Sequence, residues 1–236
     1  MTSAITTFYL FLSFDFARLT YGFYYFHIMK EVNMIKTIIF DIGGVLIGYD
    51  WTAYMMKEFN NDVALVERIK ENVFGNHKWD EVDRGVLTDD ELLASFTKDA
   101  PDIKDEITHF WETCGDALWQ YDFAKDWIKE LKARGYQVLY LSNWSYHLRK
   151  LAAKQMDFLP LLDGGVFSCE EKLIKPDHAI YERIVEKYNL KPEECVFIDD
   201  SERNVIGARE CGLYAVHAKY KNHDIAVSEL EALLNQ

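Results

Sequence analysis

Three short apolar segments of this chain each end in a polar side chain, and this pattern limits what the chain can fold into. The segments are Thr37–Phe40, Val138–Leu141 and Cys195–Ile198. Asp41 follows the first, Ser142 the second, and the pair Asp199-Asp200 the third. A continuous apolar run of this length is typical of a strand buried on both faces of a parallel sheet.

Helical segments alternate with these strands. Amphipathic patterns predict helices over Phe123–Arg134, Ser145–Gln155, His178–Tyr188, Arg203–Cys211 and Ile225–Leu234. Tyr214–Val216 and Val166-Phe167 are further candidate strands. Strand and helix in turn predict an α/β fold, with a Rossmann-like parallel sheet as its core and helices on both faces.

A helical insertion separates the first predicted strand from the second. The predicted helices are Thr52–Phe59, Val63–Val73, Asp89–Phe96 and Ile103–Leu118. Thr88 and Glu91 have the spacing of a capping box. We therefore expect an α/β core of residues 34–50 and 122–236 and a helical-bundle cap of residues 51–121.

Residues 1–33 differ from the rest because they are rich in Phe and Tyr and carry no net charge. We interpret them as an extension before a start at Met34. Asp15 and Arg18 interrupt the apolar pattern and no basic residue precedes it, so neither a signal peptide nor a membrane span fits. A peripheral membrane anchor is an alternative, although the segment lacks a basic face.

The charge balance restricts the partners of the protein. The formal net charge is −13, from 26 Lys and Arg against 39 Asp and Glu, which argues against nucleic acid as a partner. The four cysteines show no CxxC spacing and read as reduced thiols, which predicts a cytoplasmic protein.

Polar residues at the strand ends define a candidate site. Ligands of open α/β sheets bind outside the carboxyl ends of the strands, where Asp41, Ser142 and the Asp199-Asp200 pair would converge. Lys175, in a loop before Pro176, would add a cation. A carboxylate nucleophile with these neighbours suits phosphoryl transfer through an aspartyl-phosphate. Carboxylates in one pocket would need a divalent cation between them, and Mg²⁺ prefers such oxygen ligands.

Four motifs in order resemble those of the haloacid dehalogenase (HAD) superfamily, in its helical-cap phosphatase branch. They are Asp41-Ile42-Gly43-Gly44-Val45-Leu46, Leu141-Ser142-Asn143, Lys175-Pro176-Asp177, and Phe197-Ile198-Asp199-Asp200-Ser201 with Asn204. The resemblance runs from Met34 to the C-terminus. It implies a Mg²⁺-dependent phosphatase that hydrolyses a small phosphorylated metabolite, such as a sugar phosphate.

The resemblance also implies roles for individual residues. Asp41 would be the nucleophile, with Ser142 and Lys175 holding the phosphoryl group. Further phosphate contacts would come from Gly44 and Asn143. The ligands of Mg²⁺ would be Asp41, Asp199, Asp200 and the main-chain carbonyl of Gly43.

One position departs from the family pattern. Gly43 stands where the family has a second Asp, which protonates the leaving group and then activates water. General acid–base assistance is typically worth about 10²–10⁴-fold in rate. We expect Asp50 to take the role, with Asp83, Arg84 and His147 as other candidates. Phosphatases that resemble sugar-phosphate phosphatases also carry Gly here, so activity need not be lost.

The cap is expected to set substrate choice. Trp79 and Arg84 lie on a predicted turn that would reach the substrate, and Trp144 would approach from the core. Two alternatives stay open at this stage. One is a haloacid dehalogenase-type hydrolase, which would not need the Asp199-Asp200 pair. The other is a catalytically degenerate protein that binds phosphate or a partner, suggested by Gly43.

Overall fold

The computed structural model of the protein describes residues 34–219 and 222–235. The predictions for residues 1–33 therefore lie outside the described part of the chain. Within it the strands are β1 Thr37–Phe40, β2 Ile47–Tyr49, β3 Leu118–Gln120, β4 Gln137–Ser142, β5 Gly164–Phe167, β6 Cys195–Asp199 and β7 Tyr214–His217. The α-helices are α1 Trp51–Glu58, α2 Val63–Phe74, α3 Lys78–Arg84, α4 Asp89–Thr97, α5 Lys104–Thr113, α6 Ala124–Ala133, α7 Tyr146–Leu151, α8 Ser168–Glu171, α9 His178–Tyr188, α10 Glu202–Glu210 and α11 His223–Leu234.

A five-stranded sheet forms the centre of the fold, and all of its strands run parallel. The strand order is β5-β4-β1-β6-β7. Phe40, the last residue of β1, lies opposite Tyr140 of β4 and Ile198 of β6. The register brings the carboxyl ends of the three central strands to one edge. Asp41, at the end of β1, therefore lies between the ends of β4 and β6.

The strands are apolar throughout because helices cover both faces of the sheet. Side chains alternate along a strand, so Ile38 and Phe40 join one hydrophobic cluster and Ile39 joins the other. Ile128 of α6 belongs to the first cluster and Ile184 of α9 to the second. The predicted α/β fold, a parallel sheet with helices on both faces, is confirmed.

Helices α1 to α5 lie between β2 and β3, two short strands that pair antiparallel. The predicted helix over Ile103–Leu118 is wrong at its end. Helix α5 stops at Thr113, a 3₁₀ turn covers Cys114–Ala117, and Leu118 already belongs to β3. This segment is a strand because it pairs with β2, which lies about 70 residues earlier. Local sequence periodicity cannot predict such a distant pairing.

Two other local predictions need correction. The helix predicted over Ser145–Gln155 ends at Leu151, and the Gln155 carbonyl instead accepts a hydrogen bond from the Gln120 side chain at 2.8 Å. The predicted turn at Trp79 and Arg84 is helix α3, which ends at Gly85 in the left-handed region, with φ +66°. Acidic side chains in the first turn of α3 favour that helix.

Other local predictions hold. Thr88 and Glu91 form the capping box at the start of α4. All four cysteines are free. Across residues 34–219 and 222–235, no helix has the length and apolarity needed to cross a membrane.

Candidate active site

Asp41 lies directly after β1 and is held by three donors on one carboxylate oxygen. Its Oδ1 accepts hydrogen bonds from the Ser142 hydroxyl at 2.7 Å and from the backbone N–H of Ile42 at 2.7 Å. The Nζ of Lys175 lies 3.0 Å from the same oxygen. Its Oδ2 accepts no hydrogen bond from the described residues. One oxygen is therefore fixed, and the other remains available to react.

Lys175 is fully buried between two carboxylates. Its Nζ donates to Asp199 Oδ2 at 2.6 Å in addition to its contact with Asp41. Asn143 holds the Lys175 backbone, since its Oδ1 accepts from the Lys175 N–H at 2.8 Å and its Nδ2 donates to the Lys175 carbonyl at 3.1 Å. The Asn143 side-chain amide, predicted to bind phosphate, is thus used to position Lys175.

Asp41, Asp199 and Asp200 form an acidic cluster in which one oxygen from each lies within 4.8 Å of the others. The carboxylate of Asp199 is extensively bonded: Oδ1 accepts from the Ser201 N–H at 2.8 Å and from Asn204 Nδ2 at 3.1 Å, and Oδ2 accepts from Lys175. The Asp200 carboxylate accepts no side-chain hydrogen bond from the described residues. Asp200 is therefore the member of the cluster most available to a cation.

The pKa values of the cluster are shifted because three carboxylates lie close together and are largely buried. Burial raises the pKa of Asp41, and the carboxylates of Asp199 and Asp200 add to the rise against the opposing charge of Lys175. Burial and the Asp199 charge raise the pKa of Asp200 from 3.8 to about 6. The charges of Asp199 and Asp41 outweigh burial and raise the pKa of Lys175. A set of carboxylate oxygens that one lysine does not neutralise fits a hard divalent cation.

The loop after Asp41 depends on Gly44. Its φ is +73°, and a Cβ there would overlap the carboxylate of Asp200. Its N–H donates to the Ile47 carbonyl at 2.8 Å. The phosphate contact predicted for Gly44 stays a prediction, since in this structure its N–H is engaged by Ile47. Glycine is required here for the close approach of the loop to Asp200.

A cavity of about 420 Å³ opens on the acidic cluster. Asp41, Asp200 and Arg203 lie among its lining residues, and Trp79 lies there as predicted. The aromatic residues of the lining are Tyr49, Trp51, Phe74, Trp79 and Trp144. The acidic cluster at the sheet edge thus adjoins a cavity whose lining is part aromatic and part polar.

The space beside Gly43 is bounded by aromatic rings. A Cβ at Gly43 would lie 3.6 Å from Trp144 Cζ3 and 3.8 Å from Tyr49 Cε1. A methyl group there would be in ordinary van der Waals contact with both rings. Trp144 and Tyr49 therefore border the position at which the family pattern has its second Asp.

Three candidates for the missing acid do not line the cavity. Asp50 is exposed and caps α1, accepting from the backbone N–H three residues later at 2.8 Å. Arg84 lies with its Nε 3.5 Å from Glu81 on its own helix and is not among the lining residues of the cavity. The Nε2 of His147 lies 2.7 Å from the carbonyl of Trp111.

Asp83, the remaining candidate, does line the cavity. It is only 8% exposed. Burial, reinforced by the neighbouring Asp80, raises the pKa of Asp83 from 3.8 to about 8. Sequence reasoning named Asp83 but preferred Asp50, which is nearer in sequence. Arg203, an exposed cation of the lining, was missed, although its place near Asp199-Asp200 is a sequence signal.

A parallel sheet with a central-strand aspartate, a serine and a buried lysine around it, and an acidic pair on the adjacent strand defines the HAD type of hydrolase. The chain belongs to that family. The family model, described as haloacid dehalogenase-like hydrolase, matches residues 35–212.

Several curated proteins are similar to this chain. Mouse acyl-CoA dehydrogenase family member 10 is 29% identical over 210 residues, which is 84% of this chain but 19% of that protein. Sesquiterpene phosphatase astK of Aspergillus oryzae is 24% identical over 185 residues, covering 77% of this chain and 89% of the relative. Phosphatase MT3486 of Mycobacterium tuberculosis is 26% identical over 215 residues, covering 84% and 95%.

Solved structures share the fold. HAD family enzyme bt-2542 of Bacteroides thetaiotaomicron, solved with magnesium and inorganic phosphate, has a TM-score of 0.64 at 23% identity. That match covers 80% of this chain and 96% of the other. A dehalogenase structure has a TM-score of 0.59 at 22% identity, covering 86% of this chain and 98% of the other. At this identity the likeness concerns the fold alone.

Proposed function

We propose that this hydrolase is a Mg²⁺-dependent phosphatase that cleaves a small phosphate monoester through an aspartyl-phosphate on Asp41. The observation that carries the proposal is the asymmetry of the Asp41 carboxylate. Ser142 and Lys175 hold Oδ1, and Oδ2 has no donor among the described residues. Oδ2 attacks phosphorus, and the ester oxygen departs with the electron pair of the P–O bond.

The donors around Asp41 also suit the charge that develops on the transferring group. Lys175 is a fixed cation beside the nucleophile, and the Ser142 hydroxyl lies within hydrogen-bonding distance of the same oxygen. Groups fixed in a buried site stabilise developing charge without reorganising. These residues would therefore hold the phosphoryl oxygens in line with Asp41.

The residues present fit a magnesium ion. Asp41, Asp200 and the Gly43 carbonyl would hold it, with Asp199 beside them. The Gly43 carbonyl accepts no backbone hydrogen bond from the described chain, so it is free to bind. When bound, the ion neutralises the carboxylates and the phosphate so that the anion can enter. The relative solved with magnesium and phosphate has the same fold.

The lining of the cavity supports an apolar or flat leaving group. Beyond the acidic cluster, rings and aliphatic side chains such as Leu118 and Leu148 form much of the wall. Aromatic faces can pack against aryl or alkyl groups and also against the apolar face of a sugar ring. The relative named a sesquiterpene phosphatase is consistent with the first of these classes.

The test is phosphate release by the full-length protein from p-nitrophenyl phosphate and from aryl, long-chain alkyl and sugar phosphates. We expect activity with Mg²⁺, loss with a chelator, and restoration when Mg²⁺ is returned. Asp41→Asn is expected to abolish turnover. Asp50→Asn is the matched control: Asn caps a helix as well as Asp, so activity should persist. Release no greater than that of Asp41→Asn across the panel would refute the proposal.

Gly43 favours one rival, a protein that binds phosphate or a partner without turnover. The same preparation separates the two functions. If inorganic phosphate raises the melting temperature with Mg²⁺ present and no substrate yields product, the site binds without catalysis. A dehalogenase-type hydrolase would instead release halide from a 2-haloacid and be insensitive to chelator.

A further inference from the structure

We propose that Asp83 of the cap helix α3 is the general acid and base of this site, in place of the aspartate that is absent at Gly43. The inference rests on the proposed phosphatase function and assigns a residue to its proton transfers. It depends on three features: where Asp83 lies, how it is held there, and what occupies the space beside Gly43.

Asp83 reaches the cavity from helix α3, not from the sheet. It is buried and lines the same cavity as Asp41 and Asp200. Its carboxyl group has no hydrogen-bond partner among the described residues. A carboxyl that is buried, unpaired and next to the nucleophile's cavity is available to a substrate oxygen.

The position of Asp83 is fixed by its backbone rather than by its side chain. Its carbonyl accepts a hydrogen bond from the Ser168 hydroxyl at 2.6 Å. That hydroxyl in turn accepts from the Trp144 N–H at 2.9 Å. Trp144 follows Ser142 by two residues, so two hydrogen bonds join Asp83 to the loop that begins directly after the Asp41 donor.

The end of α3 is also packed tightly on the core. A Cβ at Gly85 would overlap Cys169 of α8, so only glycine allows this approach. The Nζ of Lys172 donates to the Gly85 carbonyl. These contacts hold the turn after Asp83 against the core. None of them involves the carboxyl of Asp83.

Gly43 has no side chain, so the acid has to come from elsewhere in the lining. Trp144 and Tyr49 border this glycine, and neither ring carries a carboxyl group. The phenol of Tyr49 is another ionisable group of the lining, but burial and the charge of Asp200 raise its pKa. Asp41 and Asp200 are already assigned to the nucleophile and the metal, so Asp83 is the carboxyl of the lining that is left to donate a proton.

The proton transfers balance in two steps. As Asp41 Oδ2 bonds to phosphorus and the ester P–O bond breaks, the leaving oxygen takes the electron pair and the proton of Asp83. Asp83, now a carboxylate, accepts a proton from the water that attacks phosphorus. The Asp41–phosphorus bond breaks, phosphate departs, and Asp83 is protonated again.

The charge environment keeps Asp83 protonated before the first step. Asp80 lies near it on α3, and Lys175 and Arg203 approach it from the core. Burial and Asp80 dominate and raise the pKa of Asp83 to about 8. A group with a pKa near the working pH is the most effective proton donor and acceptor.

The test compares the first step on two aryl phosphates of similar shape. p-Nitrophenolate leaves without a proton, whereas phenolate, whose conjugate acid has a pKa of about 10 like tyrosine, needs one. We would measure the pre-steady-state release of each phenol by rapid quench. We expect Asp83→Asn to slow release from phenyl phosphate by about 10²–10⁴-fold and release from p-nitrophenyl phosphate by less than tenfold.

Three further variants make the result decisive. Asp83→Glu retains the carboxyl and is expected to recover part of the phenyl phosphate rate. Glu81→Gln, on the same helix but outside the cavity lining, should match the wild type on both substrates. Tyr49→Phe tests the rival proton donor and is expected to leave the ratio between the substrates unchanged.

Two outcomes would overturn the assignment. Equal loss on both substrates in Asp83→Asn would mean a structural role, and a substrate-dependent loss in Tyr49→Phe would move the proton to Tyr49. Circular dichroism of each variant checks its folding. If the wild type released phosphate from no substrate of the panel, the phosphatase proposal itself would fail, which is a different result.

Discussion

Replacing Asp83 by asparagine is expected to stabilise the protein, and by more as the pH rises. Asp83 is nearly fully buried, and its pKa is raised from 3.8 to about 8 chiefly by that burial. The folded state therefore keeps a proton that the unfolded state releases. Stability from this group is fully present below pH 3.8 and is lost as the pH rises toward 8. Asparagine resembles the protonated form and does not titrate.

The size of the effect follows from the interval between the two pKa values. Between pH 5 and pH 7 the group is ionised in the unfolded state and protonated in the folded state. Each pH unit then costs the wild type about 1.4 kcal/mol, so the loss over the two units is on the order of 2–3 kcal/mol. For a chain of this size that difference corresponds to about 5–10 °C in melting temperature.

The measurement is the melting temperature of the wild type and of Asp83→Asn at pH 5, 6 and 7, in the presence of chelator. The difference between the two proteins isolates Asp83, because the other titrating groups are common to both. Glu81→Gln is the control, since Glu81 is half-exposed, and substitutions away from the core are usually within about 0.5 kcal/mol of the wild type. A difference that does not grow with pH, or a variant that melts below the wild type at pH 7, would refute the reasoning.

Two other substitutions test how the site is built. Lys175→Met leaves two buried carboxylates without their cation and is expected to lower the free energy of unfolding by about 3–5 kcal/mol in urea titrations with chelator; a loss below 1 kcal/mol would mean that the pair is not buried as described. Gly44→Ala adds a Cβ that overlaps Asp200 at a positive φ, so we expect a loss of about 1–3 kcal/mol. The same change at Gly135, where φ is also positive but no atom lies within 4 Å, is the control and should cost less.

The sheet edge could be predicted from the sequence because the rules that govern it are local. A buried parallel strand must be apolar, so the polar residues that follow it mark its carboxyl end. Asp41, Ser142 and Asp199 were found in this way, and the register of the strands brings them together. Lys175 was predicted only as a cation in a loop. Its position between two carboxylates depends on the two hydrogen bonds that join Asn143 to its backbone.

The cap side of the cavity was harder to predict because it depends on contacts between distant segments. The β2–β3 ribbon forms between strands about 70 residues apart, and neither is apolar enough to be recognised alone. Asp50 is near Asp41 in sequence, but α1 begins at once and uses the carboxylate as its cap. Asp83 reaches the site through Ser168, whose position depends on β5 and α8. Periodicity reports none of these pairings.

The position of Asp83 links the departure at Gly43 to the character of the cavity. Trp79 and Asp83 are four residues apart on α3, so they lie on the same side of the helix, and both line the cavity. If Asp83 donates the proton, one helix supplies both the ring that contacts the leaving group and the acid that protonates it. Trp144 and Tyr49 border Gly43, 3.6 Å and 3.8 Å from the position that a Cβ would take there. The glycine and the aromatic lining then belong to one arrangement. In it the core binds the phosphate, and the cap contacts and protonates the leaving group.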